Sequence, residues 1–160
     1  MRLAFSSRDV QRNSFSSLCR FARDYGMDGI EIWDASQERK QHTDSVLRSE
    51  MASEARIIQR NNNVEVCALS YPYPVEDDSA SPISLVQYVD MAALAGIENV
   101  IVQVSSMPDI EALHAKMAPA VSRAEKQDIE ILFETTGPLS KTQNLLQIIN
   151  AFASASTASG

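Results

Sequence analysis

The sequence is poor in the residues that usually announce a site. Its five glycines are scattered, and none forms a phosphate-binding fingerprint. Ser6-Ser7-Arg8-Asp9, which follows the first apolar stretch, is not GxGxxG, and no Walker pattern occurs anywhere. Cys19 and Cys67 lack a CxxC partner, so neither a zinc cluster nor a redox pair is expected. Both lie among apolar neighbours and are expected to pack as small hydrophobes, a usage that fits a cytoplasmic protein. The two histidines, His42 and His114, fall in a polar stretch and on a helix, away from any strand end, and are assigned to structure or surface. Basic residues are also few: 14 Lys and Arg stand against 21 Asp and Glu, for a net charge of -7. An acidic chain without a basic stripe is a poor partner for nucleic acid or an anionic membrane. No apolar run approaches the roughly 20 residues that a membrane-crossing helix needs. Met1–Phe5 is too short for a signal-peptide apolar region.

What is present is regular alternation. Short apolar stretches at 2–6, 29–33, 64–69, 100–104 and 129–134 read as strands. Between them, apolar residues recur at helical spacing: Phe15, Leu18, Ala22 and Tyr25; Leu47, Met51, Ala55 and Ile58; Leu85, Val89 and Ala92; Leu113, Met117 and Val121. Leu145, Ile148, Ile149 and Phe152 mark a fifth helix. Asn13 or Ser14, Ser81 with Pro82, and Asp109 are expected to open helices. Gly26, Asn61-Asn62-Asn63 and Gly96 are expected to end them. Pro119 should bend its helix or remove a hydrogen bond. Tyr71–Ser81 carries two prolines and reads as a long loop, with Glu76-Asp77-Asp78 as a solvated acidic run. Residues 1–152 form one domain, and the small residues of 153–160 read as a disordered tail.

Five strand–helix units of about thirty residues argue for a parallel sheet with helices packed on it. Right-handed crossovers then bring every strand's carboxyl end to one rim, where such folds build their sites. A doubly wound open sheet fits the length. Glu31, Gln103 and Glu134 count against it, because polar residues near strand ends are costly between two helix layers and natural inside a barrel. The expected fold is therefore α/β, a partial (β/α) TIM barrel of five parallel strands and five helices.

Three segments carry a family resemblance. Tyr25-Gly26-Met27-Asp28-Gly29-Ile30-Glu31-Ile32 is similar to a G-x-x-G-I-E pattern on the second strand. Ala92–Ile97 followed by Asn99–Val102 resembles the step from third helix to fourth strand. Met117–Glu134 resembles the fourth helix running into a glutamate-ending fifth strand. Together they resemble the xylose isomerase-like TIM barrels, the sugar-phosphate isomerase/epimerase group. A full barrel takes roughly 250 residues, so the resemblance covers the first five units only. It implies a sugar or sugar-phosphate substrate and divalent-metal-dependent proton transfer beside a carbonyl. It also implies Mn²⁺ or Mg²⁺, weakly held or absent in this chain alone, since the remaining ligands belong to later strands.

Glu134 is the leading site residue. The alternation of Ile129, Ile131 and Phe133 with Glu130, Leu132 and Glu134 puts it on the Leu132 face, expected to be interior. The resemblance implies that Glu134 is both an acid/base carboxylate and a metal ligand. Glu31, Trp33 and Gln103 are the expected substrate contacts; the bland alternatives are a surface-paired glutamate and ordinary core packing. Tyr71 and Tyr73 either cover the site or pack over the rim. Exposed sheet edges are sticky, so the competing reading is a non-catalytic half-barrel that forms homo-oligomers or pairs with a complementing chain. A third reading, metal-dependent DNA-repair endonucleases on the same barrel, is disfavoured by the acidic charge balance.

Overall fold

The computed structural model describes residues 2–10, 14–33, 52–77, 79, 81 and 83–157. Five strands alternate with five helices: β1 (Ala4–Ser6), α1 (Phe15–Asp24), β2 (Gly29–Trp33), α2 (Ala52–Asn62), β3 (Glu65–Pro74), α3 (Leu85–Ala95), β4 (Asn99–Gln103), α4 (Ile110–Gln127), β5 (Glu130–Phe133) and α5 (Thr142–Thr157). The strands form one parallel sheet in the order β1-β2-β3-β4-β5. That order decides between the two architectures. A doubly wound sheet reverses direction at a switch point and carries helices on both faces. Here the order never reverses, and each helix packs against the next one in the chain. All five helices thus cover one face and leave the other as the wall of an incomplete barrel.

The sealed face is apolar. Ile30 and Ile32 of β2, Val66 and Leu69 of β3, and Val100 and Val102 of β4 are all nearly inaccessible to solvent. Ile32, Leu69, Val100 and Ile131 are aligned across four strands. Phe15, Leu18, Val89, Leu113 and Met117 pack onto them from the helices. Gln59 is a buried polar exception whose bonds are complete. Its Nε2 donates to Ala95 O (3.1 Å) and its Oε1 accepts from Val66 N (2.8 Å), joining α2 to β3 and α3.

Helix ends follow local chemistry. Ser14 and Ser17 form a reciprocal capping box at α1, and Asp109 accepts from Ala112 N at α4 (2.8 Å). Gly96 ends α3 with φ +73°, a conformation in which a Cβ is strained. Gly29 is required by close approach instead: a Cβ there would lie 3.3 Å from the Ala4 Cβ. Pro119 sits inside an uninterrupted α4.

Several expectations are corrected. β3 does not stop at Leu69 but runs through Pro72 to Pro74. Its register to β4 shifts between Ser70 and Pro74, which frees the prolines from ladder bonds they cannot donate. Tyr71 and Tyr73 are consequently core residues; Tyr71 meets Tyr88 edge-on at 5.2 Å. The cap of α3 is Ser84, in a box with Gln87, rather than Ser81. Tyr25 is exposed, because it is the C-cap, where the chain leaves the helical stripe. Ile149 is also exposed. α5 continues to Thr157, past the expected boundary at 152, as alanine's helix propensity permits. Gln37–Asp44 with His42, Leu47, Met51, Asp78 and Pro82 lie outside the described residues.

Candidate functional site

The inward face of the sheet is built from the alternate residues of the same strands. Trp33, Ser70, Ile101 and Leu132 align across β2 to β5, opposite the sealed row. Glu31 is paired in register with Ser6 and Ala68, one layer deeper. Gln103 ends β4. Glu134 follows β5 directly and continues its ladder, with its N–H donating to Val102 O at 2.8 Å. Phe133 faces α5, where its ring meets Phe152 at 5.9 Å. Alternation then turns Glu134 to the inward side.

All four expected residues are therefore near the carboxyl rim, half-buried. The fold does not bring them all into contact. Glu31 Oε1 accepts from Ser70 Oγ at 2.7 Å, a cross-strand bond that orients its carboxylate. Ser70 is held in turn by Tyr88, whose hydroxyl donates to Ser70 O at 2.8 Å. Glu134 carries no side-chain hydrogen bond among the described residues, and β3 and β4 separate it from Glu31. The face that carries it is not interior as expected. Leu132 beside it is 41% exposed, because β5 is the sheet's edge and nothing among the described residues lies beyond it.

Two further groups at this rim were not legible in the sequence. Glu76, expected to be solvated, is half-buried and ties two loops together. Its Oε1 accepts from Ser105 N (2.6 Å), Ser105 Oγ (2.6 Å) and Ser106 N (2.8 Å), while its Oε2 is buried without a partner among the described residues. Burial pushes its pKa up, but the donors from Ser105 and Ser106 together outweigh it and hold the carboxyl below the ordinary glutamate value. Arg8 is the second: its guanidinium lies over the Trp33 ring, 4.7 Å from the centroid. The only signal for either was position just after a strand's carboxyl end.

Among the described residues no group of three or more His, Cys, Asp or Glu is placed to hold an ion. Mg²⁺ and Mn²⁺ take several hard oxygen donors, and Glu134 offers one carboxylate. The described residues do not fit a metal centre by themselves. A cleft of about 640 Å³ lies at the opposite rim, where Arg2, Asp28, Arg56, Arg60, Glu65 and Asp128 mix both signs of charge. Arg2 and Glu65 pair with each other there, and none of Glu31, Trp33, Gln103 or Glu134 lines it. No helix among the described residues is long and apolar enough to cross a membrane.

The sequence matches no protein-family model and no curated protein. Solved structures do match. A xylose isomerase-like TIM barrel/4-hydroxyphenylpyruvate dioxygenase fusion protein superposes with a TM-score of 0.62 over 94% of this chain and 25% of its own, at 14% identity. The fold is that of the first five units of a (β/α) TIM barrel. The 3-keto-D-glucoside 4-epimerase of E. coli matches 83% of this chain and 55% of its own, with a TM-score of 0.60 and 12% identity. An AP endonuclease of family 2 from Brucella melitensis matches 94% of this chain and 65% of its own, with a TM-score of 0.56 and 12% identity. The chain thus spans a quarter to two thirds of the length of these proteins. Sugar epimerase and endonuclease share the architecture equally, so what separates them must come from the site.

Proposed function

We propose that this chain forms the substrate-binding first half of a barrel that isomerises or epimerises a small sugar or sugar phosphate. The observation that carries the reading is the polar set on the inward face at the carboxyl rim: Glu31 oriented by Ser70, Gln103 at the end of β4, and Glu134 after β5. The reaction breaks a C–H bond beside a carbonyl. The electron pair moves into an enediolate, and the proton passes to a carboxylate before returning to carbon. Glu134, whose carboxylate has no hydrogen bond among the described residues to compete, is assigned that proton. Glu31 and Gln103 take sugar hydroxyls, and the Trp33 face covers the ring. The net charge of -7 favours this reading over the endonuclease one, since a phosphodiester backbone would be repelled.

Proton transfer is checked by solvent exchange. Aldoses, ketoses and their phosphates are incubated with the chain in deuterated water, with and without Mn²⁺ or Mg²⁺, and followed by NMR. Deuterium is expected at the carbon beside the carbonyl of at least one sugar, and Glu134→Gln should abolish it. No exchange in any arm argues against the assignment. A second reading, a non-catalytic half-barrel that self-associates, is favoured by the exposed Leu132 on the edge strand. Light scattering tests it: a monomer at all concentrations contradicts it.

A further inference from the structure

We infer that Arg8 is a specificity-determining residue that selects substrates carrying an anionic group, a phosphate or a carboxylate. The inference rests on the sugar-binding reading above and narrows its substrate class. Ser7–Asp9 form a single 3-10 turn directly after the carboxyl end of β1, which puts Arg8 at the same rim as Glu31 and Glu134. That turn is fixed to the end of β2 by two bonds. Trp33 N donates to Ser7 Oγ at 2.8 Å, and Ser7 Oγ donates to Trp33 O at 3.3 Å. Trp33 faces the inward side, so the guanidinium over its ring lies at the mouth of the hollow.

A cation–π contact with the ring uses the charge of the guanidinium without occupying its N–H donors. Arg8 is exposed, and among the described residues its side chain has no ion pair or hydrogen bond. The acidic chain spends other arginines on carboxylates, as in Arg2 with Glu65 and Arg123 with Asp90. A cation held over the ring, unpaired among the described residues and beside a polar rim, can offer the two parallel N–H···O bonds that carboxylate and phosphate accept. Without it, Glu31 and Glu134 would repel such a ligand from the same mouth.

The sole tryptophan of the sequence is Trp33, so its fluorescence reports on this place directly. The chain is titrated with D-fructose 6-phosphate, D-gluconate and neutral D-fructose at constant ionic strength. A saturable change is expected for at least one anion, about tenfold or more tighter than for D-fructose, as a charge-assisted pair provides. The tighter of the two anions identifies phosphate or carboxylate. Arg8→Ala should erase the preference, making all three ligands alike, while Arg8→Lys retains part of it. Equal affinities in the wild type, no response to any ligand, or an unchanged preference in Arg8→Ala overturns the inference. If circular dichroism shows Arg8→Ala unfolded, Arg8→Gln decides by the same criterion. The anion preference should survive Glu134→Gln. Arg8-dependent binding without deuterium exchange sinks only the role of Glu134; exchange without Arg8 dependence sinks only the role of Arg8.

Discussion

One sheet has two unlike faces. The outer face is closed by five helices and lined by Ile30, Ile32, Leu69, Val100 and Val102, all essentially inaccessible. The inner face carries Glu31, Trp33, Ser70, Gln103, Leu132 and Glu134, most of them half-exposed. The same strands supply both, because successive side chains point to opposite sides. Apolar burial therefore resides on one side of each strand and the polar rim groups on the other.

The contrast is broken most strongly by truncation. Ile32→Ala removes a fully buried side chain and should cost about 2–5 kcal/mol, whereas Leu132→Ala, on the open face, should cost within about 1 kcal/mol. Urea unfolding of both variants measures this. Equal costs would show that another copy or chain seals the inner face in solution.

Glu76 gives a smaller effect. Its folded pKa is depressed, so its contribution is fully present above the ordinary glutamate value and is lost as pH falls through the folded value. Glu76→Gln should lower stability near neutral pH by about 1 kcal/mol, a figure reduced for partial exposure. It should also flatten the acid limb of the stability curve. Thermal melts from neutral to acidic pH test both; an unchanged acid limb argues against the clasp.

The cysteines report the contrast without changing stability. Cys19 lies under the sealed side, fully buried, and burial pushes its thiol up to about 11. Cys67 is half-buried on β3, with a thiol raised chiefly by burial. At mildly alkaline pH a thiol reagent should reach Cys67 slowly and Cys19 only on unfolding. Comparable rates in the folded protein would contradict a sealed outer face.

Much of the fold was legible because it is periodic. The apolar stripes of α1, α3 and α4, the caps at Ser14 and Asp109 and the stop at Gly96 each depend on neighbours within a few residues. The errors share a cause. Prolines at 72 and 74 read as a loop because no local signal shows that the ladder has shifted and needs no N–H donor at those positions. Tyr25 fits a helical stripe by spacing alone, yet the helix has ended there. At the site, Glu31, Trp33, Gln103 and Glu134 could be named from strand position. The Ser70 bond, the Glu76 clasp and the Arg8 stack could not, since each joins residues at least 25 positions apart.

The sequence by itself determined the number and kind of elements and which side of each strand is apolar, since those depend on spacing and propensity along the chain. Only the tertiary structure decided that the strands run in unbroken order, that the inner face is open among the described residues, and that the Arg8 guanidinium rests over the single tryptophan. Those outcomes depend on which distant segments touch, and contact across the fold is set by packing and chain crossing rather than by local pattern.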